Sequence, residues 1–129
     1  MNKIIVEVSI GELLDKISIL EIKLEKIKDP KKLGFISDEH SILKNQLNKS
    51  VKNDENLNKL FKSLKEINSK LWIIEDDKRQ CEKDKTFDEK FIKLSRDVHF
   101  LNDNRAKIKL EINEYTGSKI KEIKEYTNY

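Results

Sequence analysis

The sequence predicts an all-α protein: an antiparallel helical bundle or long helical hairpin with a short N-terminal strand or extended arm. Apolar residues recur at steps of three and four through most of the 129 residues, which is the spacing of one helix face. Only three glycines and one proline interrupt the chain. Charged residues make up 40% of it with the signs interspersed, as on long solvated helix faces. At this length we expect a single helical domain, residues 1–129.

The N-terminal residues 3–8 predict the strand or arm, because they are rich in β-branched side chains and are followed by Ser9 and Gly11. An isolated strand leaves its backbone donors and acceptors without partners. The segment is therefore expected to pair with a second copy, to pair with the C-terminal tail, or to lie along the helices.

The first helix is expected to begin at a capping box, in which the Ser9 hydroxyl accepts from the backbone of Glu12. Its apolar stripe is the cleanest in the chain and comprises Ile10, Leu13, Leu14, Ile17, Leu20, Leu24 and Ile27. The helix is predicted to stop at Asp29 and Pro30, because proline cannot continue a helix. A second helix is predicted over residues 37–51.

The third helix is predicted over residues 54–83, and a second capping box from Thr86 to Glu89 opens the fourth, which closes at Gly117. The turn between them is short, so the two helices are expected to be antiparallel neighbours. Residues 118–129 form either a short helix or an extended tail. The heptad spacing does not persist, which favours a bundle or hairpin over an extended coiled coil. Helices this long would project beyond a compact monomer, which favours a homodimer.

Composition excludes several classes of protein. The net charge of +3 comes from 27 bases and 24 acids that alternate, whereas nucleic-acid-binding proteins cluster their bases on one face. The lone Cys81 excludes an intramolecular disulfide and a multi-cysteine metal site, and it fits a reducing, cytoplasmic compartment. No signal peptide is recognised and no apolar run approaches the ~20 residues of a membrane span. We therefore expect a cytoplasmic protein without nucleic-acid or membrane partners.

The strongest functional signal is Arg105, which falls on the apolar stripe of the fourth helix. A buried guanidinium must be paired, so Arg105 indicates a structural ion pair or a polar site. Carboxylates suit a divalent metal, and Arg and Lys suit phosphate or carboxylate. The candidate ligand-binding residues of this polar stretch are Glu75, Asp76, Asp77, Arg79, Arg96, Asn102, Asp103, Arg105 and Lys109. Counting from the turn places Arg105 opposite residues 67–71, so its partner is not assigned to Asp76 or Asp77.

The polar stretch contains no recognised catalytic or cofactor motif, so catalytic residues and metal ligands are left unassigned. All-helical nucleotide pyrophosphohydrolases place acidic residues on bundled helices, but their Glu-x-x-Asp on the following helix is not reproduced here. A divalent metal is expected only if the stretch is an enzyme site. The spacing alone favours a structural ion-pair network.

Several segments resemble a small uncharacterised bacterial helical family that is known only as a domain of unknown function. They are residues 8–23, Leu71 and Trp72 with residues 74–77, Asn102 and Asp103 with Arg105 and Ala106, and Gly117 with Ser118. The resemblance spans most of the chain and is weakest over residues 30–68. The resemblance implies no activity. Members of the family are sometimes encoded near sugar-transfer or cell-envelope genes, and this neighbourhood favours an accessory protein. Lys78 departs from the family's pattern, where an apolar residue is expected.

Two functional hypotheses follow. The first is a non-enzymatic helical module that forms a homodimer or binds another protein, because amphipathic helices exceed the needs of one core. The second is a small-molecule or divalent-metal-binding all-α enzyme, related to nucleotides or sugar nucleotides, with an acidic and Arg-lined pocket between the last two helices. Side chains fully paired with one another would support the first, and side chains converging unpaired on a pocket would support the second.

Overall fold

The computed structural model describes residues 2–129 and confirms the predicted all-α bundle. Its four helices are α1 (Ile10–Lys26), α2 (Pro30–Ser50), α3 (Glu55–Asp84) and α4 (Glu89–Thr116). The first helix packs against all three others, and α3 packs against α4. The fold is therefore built around its N-terminal helix, with α2 and the α3–α4 hairpin as the surrounding elements.

Helix α1 starts at the predicted capping residue. The Ser9 hydroxyl accepts from the backbone N–H of Glu12 at 3.0 Å, and the helix ends at Lys26, three residues before the predicted stop. Both its apolar stripe and a second, more polar face are buried, since Asp15 and Ser18 are as inaccessible as Ile17. A helix surrounded by three neighbours has little surface left for solvent, which explains why polar positions of α1 lie inside.

Helix α2 begins seven residues earlier than predicted. Pro30 is its first residue, and Asp29 caps it by accepting from the N–H of Lys32 at 3.0 Å. Proline lacks the N–H that a first-turn residue would leave unpaired, so it is well suited to the first helical position. The prediction treated Pro30 only as the end of one helix, whereas it also starts the next.

The α3–α4 hairpin has the predicted antiparallel form but a different cap. Asp54 caps α3, and Lys85 ends it in the left-handed conformation with φ 54°. The predicted capping box at Thr86 is wrong, because Asp88 caps α4 by accepting from Lys90 and Phe91. Gly117 ends α4 at φ 67°, as predicted.

The apolar core lies where α1 meets the other helices. Its buried members come from all four elements and are Leu14, Ile17, Leu47, Leu57, Leu64 and Ile112. At roughly 1.5–3 kcal/mol per fully buried aliphatic side chain, this cluster is the main apolar contribution to stability. It fixes the position of α1, and with it the position of every polar side chain that α1 carries.

The two ends of the chain lie outside the helices. Within residues 2–129 no strand is formed, so the predicted N-terminal strand has no partner in its own chain. The tail after Gly117 is not helical and runs back along α4. The Tyr129 ring packs edge-on against Phe100 with centroids 5.5 Å apart, and its hydroxyl donates to Asp103. Glu122 Oε2 forms a salt bridge with Lys109 Nζ at 2.8 Å, so the tail covers part of the polar interior.

Candidate functional site

The polar interior is centred on Asp15, whose side chain is 2% exposed. Arg105 donates to it through two nitrogens, Nε to Oδ1 at 2.9 Å and Nη2 to Oδ2 at 2.5 Å. Asn68 Nδ2 donates to the same Oδ1 and to the Ser18 hydroxyl, both at 2.8 Å. The carboxylate therefore joins α1, α3 and α4. Arg105 forms the ion pair that its position on an apolar stripe predicted, and it lies beside Asn68, within the predicted range 67–71.

Electrostatics keep this pair ionised. Burial acts to raise the pKa of Asp15, but the hydrogen bonds from Arg105 and Asn68 and the nearby positive charges outweigh it. The pKa of Asp15 therefore lies below its ordinary value of 3.8. The pKa of Arg105 is raised in turn, mainly by its hydrogen bond to Asp15. A buried charge without its partner typically destabilises a protein by about 3–5 kcal/mol, so replacing either residue is expected to lower the free energy of unfolding.

Lys109 forms a second set of ion pairs, one helical turn further along α4. Its side chain is 7% exposed and its ammonium lies 2.7 Å from Glu12, 2.8 Å from Glu122 and 3.8 Å from Asp15. Burial acts to lower the pKa of Lys109, and the hydrogen bonds to Glu12 and Glu122 raise it by more, to above 10.5. Its bond to Lys109 lowers the pKa of Glu122. Lys109 is a structural cation held by α1 and the tail.

A cleft of about 310 Å³ opens beside the Asp15–Arg105 pair. Its lining comes from α1, α3 and α4 and comprises Ile19, Ile22, Asn68, Leu71, Trp72, Glu75, Asp76, Arg79 and Arg105. Within residues 2–129, Glu75, Asp76 and Arg79 form no salt bridge. The cleft thus combines apolar walls with charged groups that are not paired with one another. It also includes residues of α1, whereas the pocket was predicted between the last two helices alone.

The structure brings together four of the nine candidate residues: Glu75, Asp76, Arg79 and Arg105. The other five, Asp77, Arg96, Asn102, Asp103 and Lys109, lie outside the lining of this cleft. Lys109 belongs instead to the ion pairs behind it, and Asp103 bonds the tail tyrosine. Arg105 forms an ion pair, as the structural hypothesis expects. Its neighbours on α3 line the cleft without one, as the binding-site hypothesis expects.

Sequence reasoning missed the α1 residues of the site. Gly11, Asp15 and Ser18 are all buried and follow steps of four and three, beside the apolar stripe. The sequence did contain a signal for them: a stripe of small and polar residues beside the apolar stripe. Such a face suits close helix packing and hydrogen bonding. Asn68 was equally detectable, because it occupies a helical step between Leu64 and Leu71.

Two further properties concern the whole described chain. Residues 2–129 hold no group of three or more His, Cys, Asp or Glu side chains placed to bind a metal ion. In the same part of the chain, no helix combines the length and apolarity needed to cross a membrane.

Comparison with known proteins gives one assignment. Neither the curated proteins nor the solved structures contain a match to this sequence. The family of unknown function DUF6165 matches residues 4–129, nearly the entire chain. The segments that suggested a domain of unknown function, from the capping box of α1 to Gly117 and Ser118, all lie inside that match. The chain therefore belongs to the DUF6165 family of unknown function.

Proposed function

We propose that the protein is a non-enzymatic module that assembles with a second copy of itself through its N-terminal arm, residues 2–8. The observation that carries this proposal is the exposure of the arm's apolar side chains: Ile4 is 91% and Ile5 83% exposed. Exposed contiguous apolar residues mark association surfaces in soluble proteins. Since the arm forms no strand with the rest of residues 2–129, its backbone groups are available to a partner strand.

The sequence of the arm fits an identical partner. In an antiparallel pair centred on Ile5, Lys3 faces Glu7 of the second copy, and Ile4 faces Val6 of the second copy. Opposite charges and β-branched pairs directly across a ladder each stabilise it by about 0.2–1 kcal/mol. A two-fold axis makes every such pair occur twice. This self-complementarity favours a second copy over an unrelated protein.

Charge reversal tests the arm pairing. Glu7→Lys places a lysine opposite Lys3 of the second copy at two symmetric positions, so we expect the dimer dissociation constant to rise about tenfold. The double variant Lys3→Glu with Glu7→Lys exchanges the charges and should restore it. Glu125→Lys in the exposed tail makes the same change in net charge and serves as the control. The measurement is sedimentation equilibrium across a range of protein concentrations.

The arm pairing has two contradicting outcomes. One is a wild-type protein that stays monomeric up to about 100 µM, which would correspond to an affinity too weak for assembly. The other is a dimer that Glu7→Lys and Glu125→Lys affect equally, because the arm would then not form the interface.

A second candidate function, a small-molecule-binding all-α enzyme or binding protein, is favoured by the cleft. Four residues predicted from sequence line it, and three of them carry charges without a salt bridge in the described residues. The substitution Ile19→Phe places a larger side chain in the cleft from α1 and leaves Asp15, Asn68 and Arg105 unchanged. A nucleotide or sugar nucleotide that raises the melting temperature of the wild type but not of Ile19→Phe supports this candidate; an equal rise in both contradicts it.

A further inference from the structure

The inner end of the cleft carries an acceptor that the protein does not use. Asn68 is 5% exposed and lines the cleft. Both hydrogens of its amide nitrogen are donated, to Asp15 and to Ser18. Its Oδ1 accepts no hydrogen bond from residues 2–129 and keeps some solvent contact, since every fully buried polar side-chain atom in these residues has a partner. The amide orientation is set by chemistry, because only the nitrogen can donate to a carboxylate.

Arg105 supplies donors at the same end of the cleft. A guanidinium has five N–H groups, and Asp15 uses one on Nε and one on Nη2. Three donors remain on a side chain that lines the cleft. Asn68 Nδ2 and Arg105 Nε both bind Asp15 Oδ1, at 2.8 and 2.9 Å, so the two side chains meet at this carboxylate and both line the cleft. The ion pair with Asp15 holds the guanidinium in place and lowers the entropy lost on binding.

The remainder of the cleft selects the shape and charge of a ligand. Its apolar walls are Ile19, Ile22, Leu71 and the ring of Trp72, which suit a flat body. The volume of about 310 Å³ lies at the lower end of small-molecule sites, which span roughly 300–1,000 Å³. Because Asp15 already neutralises Arg105, the lining leaves Glu75 and Asp76 against Arg79, and this excess of negative charge disfavours an anionic ligand.

We propose that this cleft binds a small, planar, uncharged ligand in which a hydrogen-bond donor adjoins a carbonyl acceptor, as in a lactam ring. The ligand N–H donates to Asn68 Oδ1, and its carbonyl accepts from Arg105. The apolar ring lies against Trp72. The proposal rests on the second candidate function, narrows its ligand from a nucleotide to an uncharged heterocycle of the nucleobase kind, and is independent of the arm pairing.

The only tryptophan of the chain provides the measurement, since Trp72 lies in the cleft wall. We expect uracil to change the Trp72 fluorescence saturably, with a dissociation constant on the order of 1 mM or tighter. The matched compound 1,3-dimethyluracil keeps the ring and both carbonyls but lacks N–H groups, and it should bind at least about tenfold more weakly. No saturable change with uracil up to about 10 mM, or equal binding of both compounds, overturns the proposal.

A pair of variants locates the binding. Ile19→Phe fills the cleft and should abolish the uracil response, whereas Ile42→Phe makes the same change on an exposed position of α2 and should leave it intact. If Ile19→Phe binds uracil as the wild type does, the site lies elsewhere and the proposal fails. If Ile19→Phe does not fold, the comparison of the two compounds on the wild type decides. Sedimentation of the same proteins reports on the arm separately, so the two failures are distinguishable.

Discussion

At the scale of single residues, Gly11 determines how closely α1 approaches α4. A Cβ atom at this position would lie 2.6 Å from the Lys109 carbonyl oxygen and 2.9 Å from Asn113 Oδ1. The Gly11 N–H donates to that same Oδ1 at 2.7 Å. A methyl group cannot enter this contact without moving backbone, and one turn further along α1 lies Asp15. The glycine therefore permits the approach that brings Asp15 to Arg105.

The two helical glycines are expected to respond oppositely to alanine. Gly11→Ala should lower the free energy of unfolding by about 1–3 kcal/mol, because the added methyl overpacks a backbone contact. Gly34→Ala should raise it by about 0.5–1 kcal/mol, since nothing lies within 4 Å and alanine is the better helix former. Urea unfolding of both variants measures the difference. Stabilisation by Gly11→Ala would show that α1 does not approach α4 as closely as described.

At the scale of elements, the capping residues determine where each helix begins and ends. Asp29, Asp54 and Asp88 accept from backbone N–H groups in the first turns of α2, α3 and α4. The hairpin turn is less favourable, because Lys85 adopts φ 54° and is the only non-glycine residue with positive φ among those described. A left-handed conformation costs an L-residue roughly 1–2 kcal/mol. The turn therefore carries strain that glycine would relieve.

We expect Lys85→Gly to raise the free energy of unfolding by about 0.5–1 kcal/mol, which is less than the full relief because glycine also gains freedom in the unfolded chain. The exposed Lys85–Glu82 pair is lost but contributes little. Lys83→Gly, within the last turn of α3, should instead lower the free energy of unfolding by about 0.5–1 kcal/mol. Thermal unfolding of both variants tests this contrast. A destabilising Lys85→Gly would mean that the turn is not left-handed.

At the scale of the whole molecule, one polar network connects distant parts of the chain. Asp15 on α1 bonds Asn68 on α3 and Arg105 on α4, and Lys109 links α1 to Glu122 in the tail. Every fully buried polar side-chain atom in residues 2–129 has a hydrogen-bond partner. A satisfied network of this kind specifies how the helices are rotated against one another, because a wrong rotation would leave charges buried and unpaired.

The network predicts a pH dependence of stability. Because the pKa of Asp15 is lowered on folding, its contribution is present above about pH 4 and is lost as pH falls through the folded value. Because the pKa of Lys109 is raised, its contribution is present below pH 10.5 and is lost only above it. We expect the free energy of unfolding to be nearly constant between these limits and to fall as the pH is lowered below about 4. Urea midpoints measured from pH 2 to pH 8 test the acid side.

The variant Asp15→Asn should be less stable than the wild type by about 3–5 kcal/mol at neutral pH, because Arg105 loses its counter-charge. The difference should begin to shrink below about pH 4, where the unfolded wild-type carboxyl takes up a proton, and should go on shrinking until the pH falls below the lowered pKa of folded Asp15. Asp76→Asn removes an exposed carboxylate that forms no salt bridge in the described chain, and it is the matched control. A difference that stays constant with pH would show that Asp15 acts by packing and not by charge.

The sequence by itself determined the features that depend on neighbours within one or two turns. Periodic apolar residues predicted four helices and the hairpin, and the Ser9 and Gly117 caps lie where predicted. These signals are readable because a helix repeats every 3.6 residues and its caps act over three or four. Where two local signals competed, the prediction was wrong. It assigned Pro30 to the end of one helix and not to the start of the next, and it preferred Thr86 to Asp88 as the cap of α4.

Only the tertiary structure decided the polar site. Arg105 was expected to need a partner, but that partner is Asp15, 90 residues away on the helix with the cleanest apolar stripe. Which faces meet depends on the rotation and separation of packed helices, and a stripe of apolar residues constrains these only to about one face. Close contact at Gly11 and the core packing of α1 together select the rotation. The cleft, with Asn68 and Arg105 at its inner end, is a consequence of that choice, and no local pattern encodes it.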